Sequence, residues 1–421
     1  MTMGCRLGII SLVTSFGTAC KCVARVGNVG EQYKASDRQV KKGKIRMKKQ
    51  PQFDNIVTYA ETMLKTIDEQ PFNVVDNVIL AFCAHFHFPT NVAGVCDVRG
   101  VRLQELFRAE CFDDMFTSVW NPAACKRMFT AMCASPRFRD VVVKNFVDRY
   151  DEHVEKQFAA VTYQFGDKLC YVAFRGTDST FVGWKEDFNM AFRFPVPSQT
   201  DALEYLNTVA KQCSCPLRVG GHSKGGNLAV YSAMFADDEV KQRIERVHSN
   251  DGPGFLKSVL ETNAFASISD KLEKVVPQSS FVGMLMEEHE CYRVVKSHQS
   301  NILQHDPYSW EVCGCDFVGM DNLTPRAKCF DQALNQWIVS LPSEERERLV
   351  DWLFGLGDTD KFKTTEEWQA SWRKNLSEAM RKISSADPAT KQFVKRAIHE
   401  LLELNKQNLA EMRKQSTQKS K

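Results

Sequence analysis

The sequence predicts an α/β fold with a mostly parallel β-sheet and flanking helices, and three observations support this. Strand-like runs alternate with helical patterns between residues 158 and 295. The β-branched run Leu217-Arg218-Val219 leads into a glycine-rich turn, and an apolar helical pattern begins at Leu228. Hydrophobic residues make up 43% of the 421-residue chain and charged residues 25%, which is typical of a globular protein.

The periodicity of apolar residues predicts the individual elements in order. Helices are expected at residues 55–65 and 72–87, with further helix between 113 and 151. The remaining expected elements are strands at 158–163, 168–174, 217–219, 246–249, 274–276 and 292–295, a helix at 199–212, and helices from about 323 to the end.

Composition shifts divide the chain into three parts. Residues 1–50 are expected to be a disordered or leader-like basic N-terminus, residues 51–322 a globular α/β domain, and residues 323–421 a helical extension. We expect a cytoplasmic protein; the alternatives are export, with residues 1–22 as a leader, and a natural start at Met47.

Net charge and cysteine spacing limit the classes of partner and cofactor that the sequence predicts. A net charge of +3 gives no electrostatic case for nucleic acid. No stretch predicts an integral membrane span, and the oligomeric state stays open. Fifteen scattered cysteines suggest reduced thiols rather than a disulfide framework. We expect no metal and no cofactor, because zinc sites usually need wider spacing than that of the three C-x-C pairs, Cys20/Cys22, Cys213/Cys215 and Cys313/Cys315.

The segment Gly221-His222-Ser223-Lys224-Gly225 is a G-x-S-x-G motif between a predicted strand and a predicted helix. In that setting the serine lies on a sharp turn, and glycine is needed on both sides because a Cβ would collide with the neighbouring elements. Its hydroxyl would lie at a helix N-terminus, where N–H groups stabilise a developing oxyanion. The motif therefore predicts Ser223 as a nucleophile.

A serine nucleophile needs a base, and in this fold the base follows the serine and the acid along the chain. His305 is the first candidate, since it lies in a polar, turn-forming segment after the last predicted strand. His298 is the reserve.

The acid that orients the base is less well defined by the sequence. Asp251 is favoured because it ends a predicted strand beside the elbow. Asp before glycine is also a common turn residue, so the alternatives Glu273, Asp270 and Asp306 stay open.

The oxyanion donors are expected to be the N–H of Lys224 and a donor from the turn Arg175-Gly176-Thr177. Thr177 offers both its N–H and its hydroxyl. We expect the Lys224 side chain to be solvated, and Arg175 to pair with Asp187 or Glu186 if it forms a salt bridge.

Several segments together resemble the bacterial Mbeg1-like family of α/β-hydrolase-like proteins, from about residue 53 to about 360. They include AFRGTDSTFVGWKEDFNM, VGGHSKGGNLAVYSA, SNDGPGF, VVPQSSFVGML and LQHDPYSW. The RGT and GHSKGG segments also resemble class 3 lipases, which implies Thr177 as oxyanion donor, Ser223 as nucleophile and His305 as base. Those lipases carry their acid in Asp-x-Val-Pro, where this chain has Lys274-Val275-Val276-Pro277, so the departure favours Asp251.

Motif and resemblance together predict a serine hydrolase that acts on a small-molecule or lipid-like acyl ester or thioester. The alternatives are a non-catalytic binding module and a peptidase on the same fold. Five aromatic residues near the RGT turn either line an acyl pocket or pack the core, and core packing is expected for most: Phe181, Trp184, Phe188, Phe192 and Phe194.

Overall fold

A mixed sheet runs through the part of the chain that the computed structural model describes, residues 53–117, 119, 121–178, 180–286, 291–355, 381 and 385–419. Its strands are β1 (Val101–Arg102), β2 (Val142–Asp151), β3 (Lys156–Phe165), β4 (Leu169–Phe174), β5 (Leu217–His222), β6 (Ile244–Asn250), β7 (Leu272–Pro277) and β8 (Arg293–Val295). After the small hairpin of β9 (Val312–Cys313) and β10 (Asp316–Phe317), β11 (Gly319–Met320) joins the edge beside β8.

Strand direction places the predicted site. Strands β4 to β8 pair in parallel and in chain order, whereas β1 to β4 form antiparallel pairs. Consecutive parallel strands end at the same edge of the sheet, so the segments after β4, β5, β6 and β7 lie side by side. The predicted α/β-hydrolase-type sheet with flanking helices is confirmed.

Helices cover both faces of this sheet. They are α1 (Ile56–Thr62), α2 (Val74–Cys83), α3 (Phe112–Met115), α4 (Pro122–Ala134), α5 (Phe181–Asn189), α6 (Pro197–Lys211), α7 (Lys224–Phe235), α8 (Asp238–Arg243), α9 (Lys257–Leu260), α10 (Asn263–Ala266), α11 (Pro325–Ser340), α12 (Ser343–Gly355) and α13 (Pro388–Lys419). One apolar core contains side chains of α1, α2 and α4, and a second contains side chains of α6 and α7. The fold thus has the three layers expected of a buried parallel sheet.

The predicted helix between residues 113 and 151 was wrong in its second half. Helix was expected between residues 113 and 151, but α4 ends at Ala134 and Val142–Asp151 forms β2, paired with β3. The pairing shifts register between Lys144 and Val147, where Asn145 has a φ of 55°. This bulge interrupts the two-residue alternation of apolar side chains that marks a strand, so pairing with β3 decides the conformation.

The C-terminal helices pack against segments near the carboxyl edge of the sheet. The Asn335 side chain of α11 accepts a hydrogen bond from Met286 N at 2.8 Å and donates one to Met284 O at 2.8 Å. Lys185 of α5 pairs with Asp351 of α12 at 2.8 Å. The division at residues 322 and 323 stays a prediction, and the predicted N-terminal segment 1–50 lies outside the described residues.

Within the described ranges, no helix is both long enough and apolar enough to cross a membrane.

Candidate active site

Ser223 lies between β5 and α7 in the backbone conformation that the motif predicts. Its φ is 59° and its ψ is −134°, a combination that costs energy in a residue other than glycine. The flanking glycines have no room for a side chain: a Cβ on Gly221 would lie 2.2 Å from the Gly225 carbonyl, and a Cβ on Gly225 would lie 2.1 Å from Phe174 O. Ser223 N donates to Asn250 O at 3.0 Å, which ties the turn to the end of β6.

His305 and Asp251 are in direct contact. His305 ends the 3-10 helix Asn301–His305, and its Nδ1 lies 2.6 Å from Asp251 Oδ2. The histidine side chain is 13% exposed and the aspartate side chain is fully buried. A buried carboxylate at this distance fixes the ring orientation and the tautomer with the proton on Nδ1. His298, the reserve base, instead stacks on Phe53 and pairs with Glu311 at 2.7 Å.

A short network holds the Asp251 carboxylate. Asp251 has a φ of 50°, and its N–H donates to Val275 O at 2.7 Å. Its Oδ1 accepts a hydrogen bond from Ser280 Oγ at 2.5 Å. Ser280 Oγ in turn accepts one from Gly283 N at 3.1 Å. A Cβ on Gly283 would lie 2.3 Å from Asp251 Oδ1, so glycine is required for this close approach.

The other candidate acids contact other partners. Glu273 pairs with Arg246 at 2.9 Å and lies 3.2 Å from His248. Asp306 accepts from Tyr308 N at 3.0 Å, and Asp270 is exposed. Of the four carboxylates weighed from the sequence, Asp251 is therefore the one in contact with His305.

Ser223 Oγ and His305 Nε2 are the two atoms that would exchange a proton in a catalytic triad. Among the described residues, neither Ser223 Oγ nor His305 Nε2 takes part in a hydrogen bond. The His305 backbone is tied to the elbow, because His222 Nε2 lies 2.9 Å from His305 O. Hydrogen bonds between a nucleophile and its base are often long in unliganded sites and shorten when substrate binds.

His222 and His85 were not singled out from the sequence, although His222 lies inside the motif. Their rings are 5.7 Å apart, and the His222 ring is 4.5 Å from that of His305. Burial, with the neighbouring histidines His305 and His85, holds the pKa of His222 well below its usual range. Burial and the nearby Arg175 lower the pKa of His85 to about 3. Both rings therefore stay neutral and support the site without adding charge.

The RGT turn contacts Ser223. A Cβ on Gly176 would lie 3.0 Å from Ser223 Cβ and 2.6 Å from His222 O, so the turn passes directly beside the serine. Thr177 Oγ1 donates to Asp187 Oδ2 at 2.5 Å, which leaves its backbone N–H as the donor available for an oxyanion. The N–H of Lys224 occupies the first position of α7, where N–H groups lack partners within the helix.

The expectation of a solvated Lys224 side chain was wrong. Its Nζ lies 3.0 Å from Glu186 Oε2, and both side chains are fully buried. Nζ also donates to Gln157 O at 2.7 Å and Gln157 Oε1 at 3.0 Å, so all three of its protons have acceptors. The Lys224 side chain points into the protein because α5 supplies a buried carboxylate, that of Glu186, opposite it.

Two further expectations near this turn were wrong. Arg175 does not pair with Asp187 or Glu186; it binds both oxygens of Asp148 at 2.7 Å, because Asp148 of β2 and Arg175 lie on either side of Ala159 in the intervening strand β3. The five aromatic residues are not core: four are half-buried and Phe194 is 42% exposed. The buried side of α5 consists of Gly183, Glu186 and Asn189 instead, since this face meets Lys224 and Gln157.

A carboxylate from the C-terminal part also lies near the site. Asp331 of α11 is 5% exposed, and its Oδ2 has no hydrogen-bond partner among the described residues. Burial and the charge of Asp251 raise the pKa of Asp331 to about 8. Nothing in the local sequence of α11 distinguishes this residue from an ordinary helix aspartate.

Around Ser223 the described residues offer no metal-binding group. Within the same ranges, one group of side chains has the spacing of metal ligands, Cys170, Cys213 and Cys215, and it lies at the opposite edge of the sheet.

The chain is similar to several solved lipases, but only distantly. It is 16% identical to a lipase in a fungal lipase–inhibitor complex, covering 40% of this chain and 68% of that one, with a TM-score of 0.29. It is 12% identical to M37 lipase, covering 50% of this chain and 68% of that one, with a TM-score of 0.31. It is 16% identical to the lipase in a Rhizomucor miehei lipase propeptide complex, covering 42% of this chain and 72% of that one, with a TM-score of 0.31. Likeness this weak supports no inference about activity. No curated protein matches the chain.

The family comparison is much stronger. The model of the Mbeg1-like family matches residues 132–355, a little over half of the chain, and this range includes Ser223, Asp251 and His305. The chain therefore belongs to the Mbeg1-like family.

Proposed function

We propose that this protein is a serine hydrolase that cleaves an ester or thioester of an apolar acyl group, with Ser223, His305 and Asp251 as its catalytic triad. The observation that carries the proposal is the 2.6 Å contact between His305 Nδ1 and the buried Asp251 carboxylate. With Nδ1 donating to the carboxylate, Nε2 is left as the proton acceptor beside an elbow serine.

The proposed reaction has two halves. Ser223 Oγ attacks the acyl carbon while His305 Nε2 takes its proton, and His305 then returns that proton to the leaving oxygen or sulfur as its bond to carbon breaks. Water next attacks the acyl-serine carbon and gives a proton to Nε2. The bond to Oγ breaks, and the proton passes to Oγ.

Two backbone donors support the negative charge in this scheme. The N–H of Lys224 follows the nucleophile at the start of α7, and the N–H of Thr177 lies on the turn that contacts Ser223. Removing one donor of this kind typically costs about 100- to 1,000-fold in rate. The Lys224 ammonium takes no part, because its charge is neutralised by Glu186.

The apolar substrate class rests on the surface next to this turn. Helix α5 begins four residues after Thr177, and a Cβ on Gly183 would lie 2.9 Å from Thr177 Cγ2, so the helix lies against the turn. Its aromatic side chains Phe181, Trp184 and Phe188 are half-buried, and Phe188 also packs on Phe354 of α12. Aromatic surface of this kind favours an acyl chain over a charged substrate.

Labelling by a fluorophosphonate probe, followed by intact mass, tests the proposal. We expect one adduct per chain, no adduct for Ser223→Ala, and labelling about 10,000-fold slower for Asp251→Asn, because the wrong tautomer of His305 is then favoured. His305→Ala should lose labelling to a similar or greater extent. His298→Ala is the matched control and should label like the parent.

Three outcomes would change the assignment. Folded parent protein that forms no adduct would favour a non-catalytic binding module. Normal labelling of Asp251→Asn would remove Asp251 from the triad. An enzyme that labels and cleaves short peptide amides faster than short acyl esters would be a peptidase on this fold.

A further inference from the structure

Three cysteine side chains meet at the amino edge of the parallel strands. Cys170 is the second residue of β4, and Cys213 and Cys215 lie in the loop between α6 and β5. Their Sγ atoms all lie within 4.8 Å of one another. Cys170 and Cys215 are buried, whereas Cys213 is half-buried.

These separations are close to those in a metal–thiolate centre. With metal–sulfur bonds of about 2.3 Å, tetrahedral or trigonal geometry puts the sulfurs roughly 3.7 to 4.0 Å apart. Movements on the order of 1 Å, within reach of χ1 adjustments, would therefore suffice for a single ion to bind all three sulfurs. The sequence hid this arrangement, because the third thiol comes from a strand more than forty residues away from the C-x-C pair.

The loop that carries the pair is already held in place. Cys170 N donates to Pro216 O at 2.9 Å, which joins the start of β4 to the loop. Arg243, at the end of α8, donates to Ala210 O at 2.7 Å and Cys215 O at 2.8 Å. Ligands that are ordered before the ion arrives lose less conformational entropy on binding.

The charge of the side chains around the three sulfurs favours a divalent ion. An Nη2 proton of Arg243 points at Cys213 Sγ, 3.4 Å away. Three thiolates, one Zn²⁺ and one guanidinium sum to zero, and N–H donors to sulfur are the usual outer contacts of thiolate centres. The half-exposed side of Cys213 leaves access for a water molecule as fourth ligand.

We propose that Cys170, Cys213 and Cys215 bind one thiophilic metal ion in a structural site separate from the Ser223 centre; the thiolate ligands together with the charge balance, which favours a divalent ion over Cu⁺, identify it as Zn²⁺. The six residues of β5 separate the two, a distance of about 20 Å. The ion would fasten the α6–β5 loop to β4, which stabilises the strand that leads to the nucleophile. This inference does not depend on the proposed hydrolase activity.

The full-length, reduced protein, stripped by a chelator, tests this by titration with Zn²⁺ against a chromophoric competitor. We expect one equivalent of tight binding, and a cobalt–thiolate charge-transfer band when Co²⁺ replaces Zn²⁺. Cys213→Ser should weaken Zn²⁺ binding by about 100-fold or more, and Arg243→Gln by about 10- to 100-fold. Fluorophosphonate labelling of Cys213→Ser at Ser223 should equal that of the parent.

The pair Cys313/Cys315 is the matched control. It has the same C-x-C spacing, but among the described residues no third cysteine, histidine or carboxylate completes a group there. The variant Cys313→Ser/Cys315→Ser should bind Zn²⁺ like the parent.

Several results would overturn the proposal. The first is the absence of stoichiometric Zn²⁺ binding, and the second is Zn²⁺ binding by folded Cys213→Ser that equals binding by the parent. The third is a metal-free protein whose mass is two hydrogens below that of the reduced chain, with a disulfide among the three cysteines, which would indicate a redox pair. One equivalent of Cu⁺ with no Zn²⁺ binding would overturn the assignment to zinc.

Discussion

Two acid–base pairs lie at the elbow that carries Ser223, and they differ in how many of their polar atoms have hydrogen-bond partners. Lys224 and Glu186 form one pair, in which each ammonium proton has an acceptor. Asp251 and His305 form the other, in which His305 Nε2 has no partner among the described residues. A saturated pair stabilises a conformation, whereas a pair with a free ring nitrogen beside a serine is able to accept a proton.

Under the proposed function, the elbow therefore has one pair that serves stability and one that serves catalysis. The Glu186 carboxylate also accepts from Gln157 N at 3.0 Å and Ser198 N at 2.9 Å, so it joins β3, α6 and α7 through one side chain. The Asp251 carboxylate, by contrast, contacts Ser280, in the loop after β7, and His305. Changes in the first pair should mainly affect unfolding, and changes in the second mainly labelling.

Lys224→Met should have the largest effect on stability. It leaves the Glu186 carboxylate buried without its cation, which typically costs about 3–5 kcal/mol. Urea unfolding measures this loss, and the double variant Lys224→Met/Glu186→Gln should recover a large part of it. A loss below about 1 kcal/mol, the range of exposed pairs, would contradict the description of this pair as a structural centre.

Gly176→Ala should affect both unfolding and probe labelling. Its Cβ would lie 2.9 Å from His85 Nε2 and closer still to His222 O, so the turn has to move away from Ser223. We expect a loss of about 1–3 kcal/mol in the free energy of unfolding, together with slower fluorophosphonate labelling. Gly319→Ala is the control, because nothing lies within 4 Å of a Cβ there. Equal behaviour of the two variants would show that the turn does not restrict the elbow.

Ser280→Ala should affect labelling more than unfolding. It removes the hydroxyl that donates to Asp251 Oδ1, and supporting groups of this kind are typically worth about tenfold or more in activity. The rate of probe labelling measures the effect. Ser279→Ala, which removes a hydroxyl that contacts Thr324 instead, should label normally. Comparable slowing in both variants would mean that the loop, and not the carboxylate contact, is responsible.

Asp187→Asn should reduce the pH dependence of stability, an effect that develops only between about pH 4 and 7. Burial raises the pKa of Asp187 to about 7, although Lys224 and Thr177 oppose the rise. Between about pH 4 and 7 the unfolded chain has released this proton while the folded protein keeps it. The free energy of unfolding therefore falls as pH rises, by up to about 1.4 kcal/mol per unit from this group.

Urea unfolding of parent and Asp187→Asn at several pH values measures that difference. The curves should converge toward the acid end and separate toward neutrality. Asp238→Asn changes a carboxylate that is 92% exposed and should follow the parent at every pH. Parallel curves for parent and Asp187→Asn would place the pKa of Asp187 near its ordinary value.

The sequence determined the features that depend on neighbouring residues. The spacing of glycines around Ser223 requires a tight turn, because any Cβ at Gly221 or Gly225 would collide with backbone. Most strands and helices of the sheet were predicted from local periodicity, within a few residues at their ends. Local periodicity also predicted that Asp251 and His305 follow strands.

Tertiary structure decided what depends on groups far apart in sequence. The bulged β2 became a strand because β3 pairs with it, and Lys224 became buried because α5 places Glu186 opposite its ammonium group. Contact with His305 distinguished Asp251 from three other carboxylates, and β4 brought Cys170 to the pair Cys213 and Cys215. Local sequence does not predict these contacts, because the free energy of each one comes from burial and electrostatics between residues that are far apart in the chain.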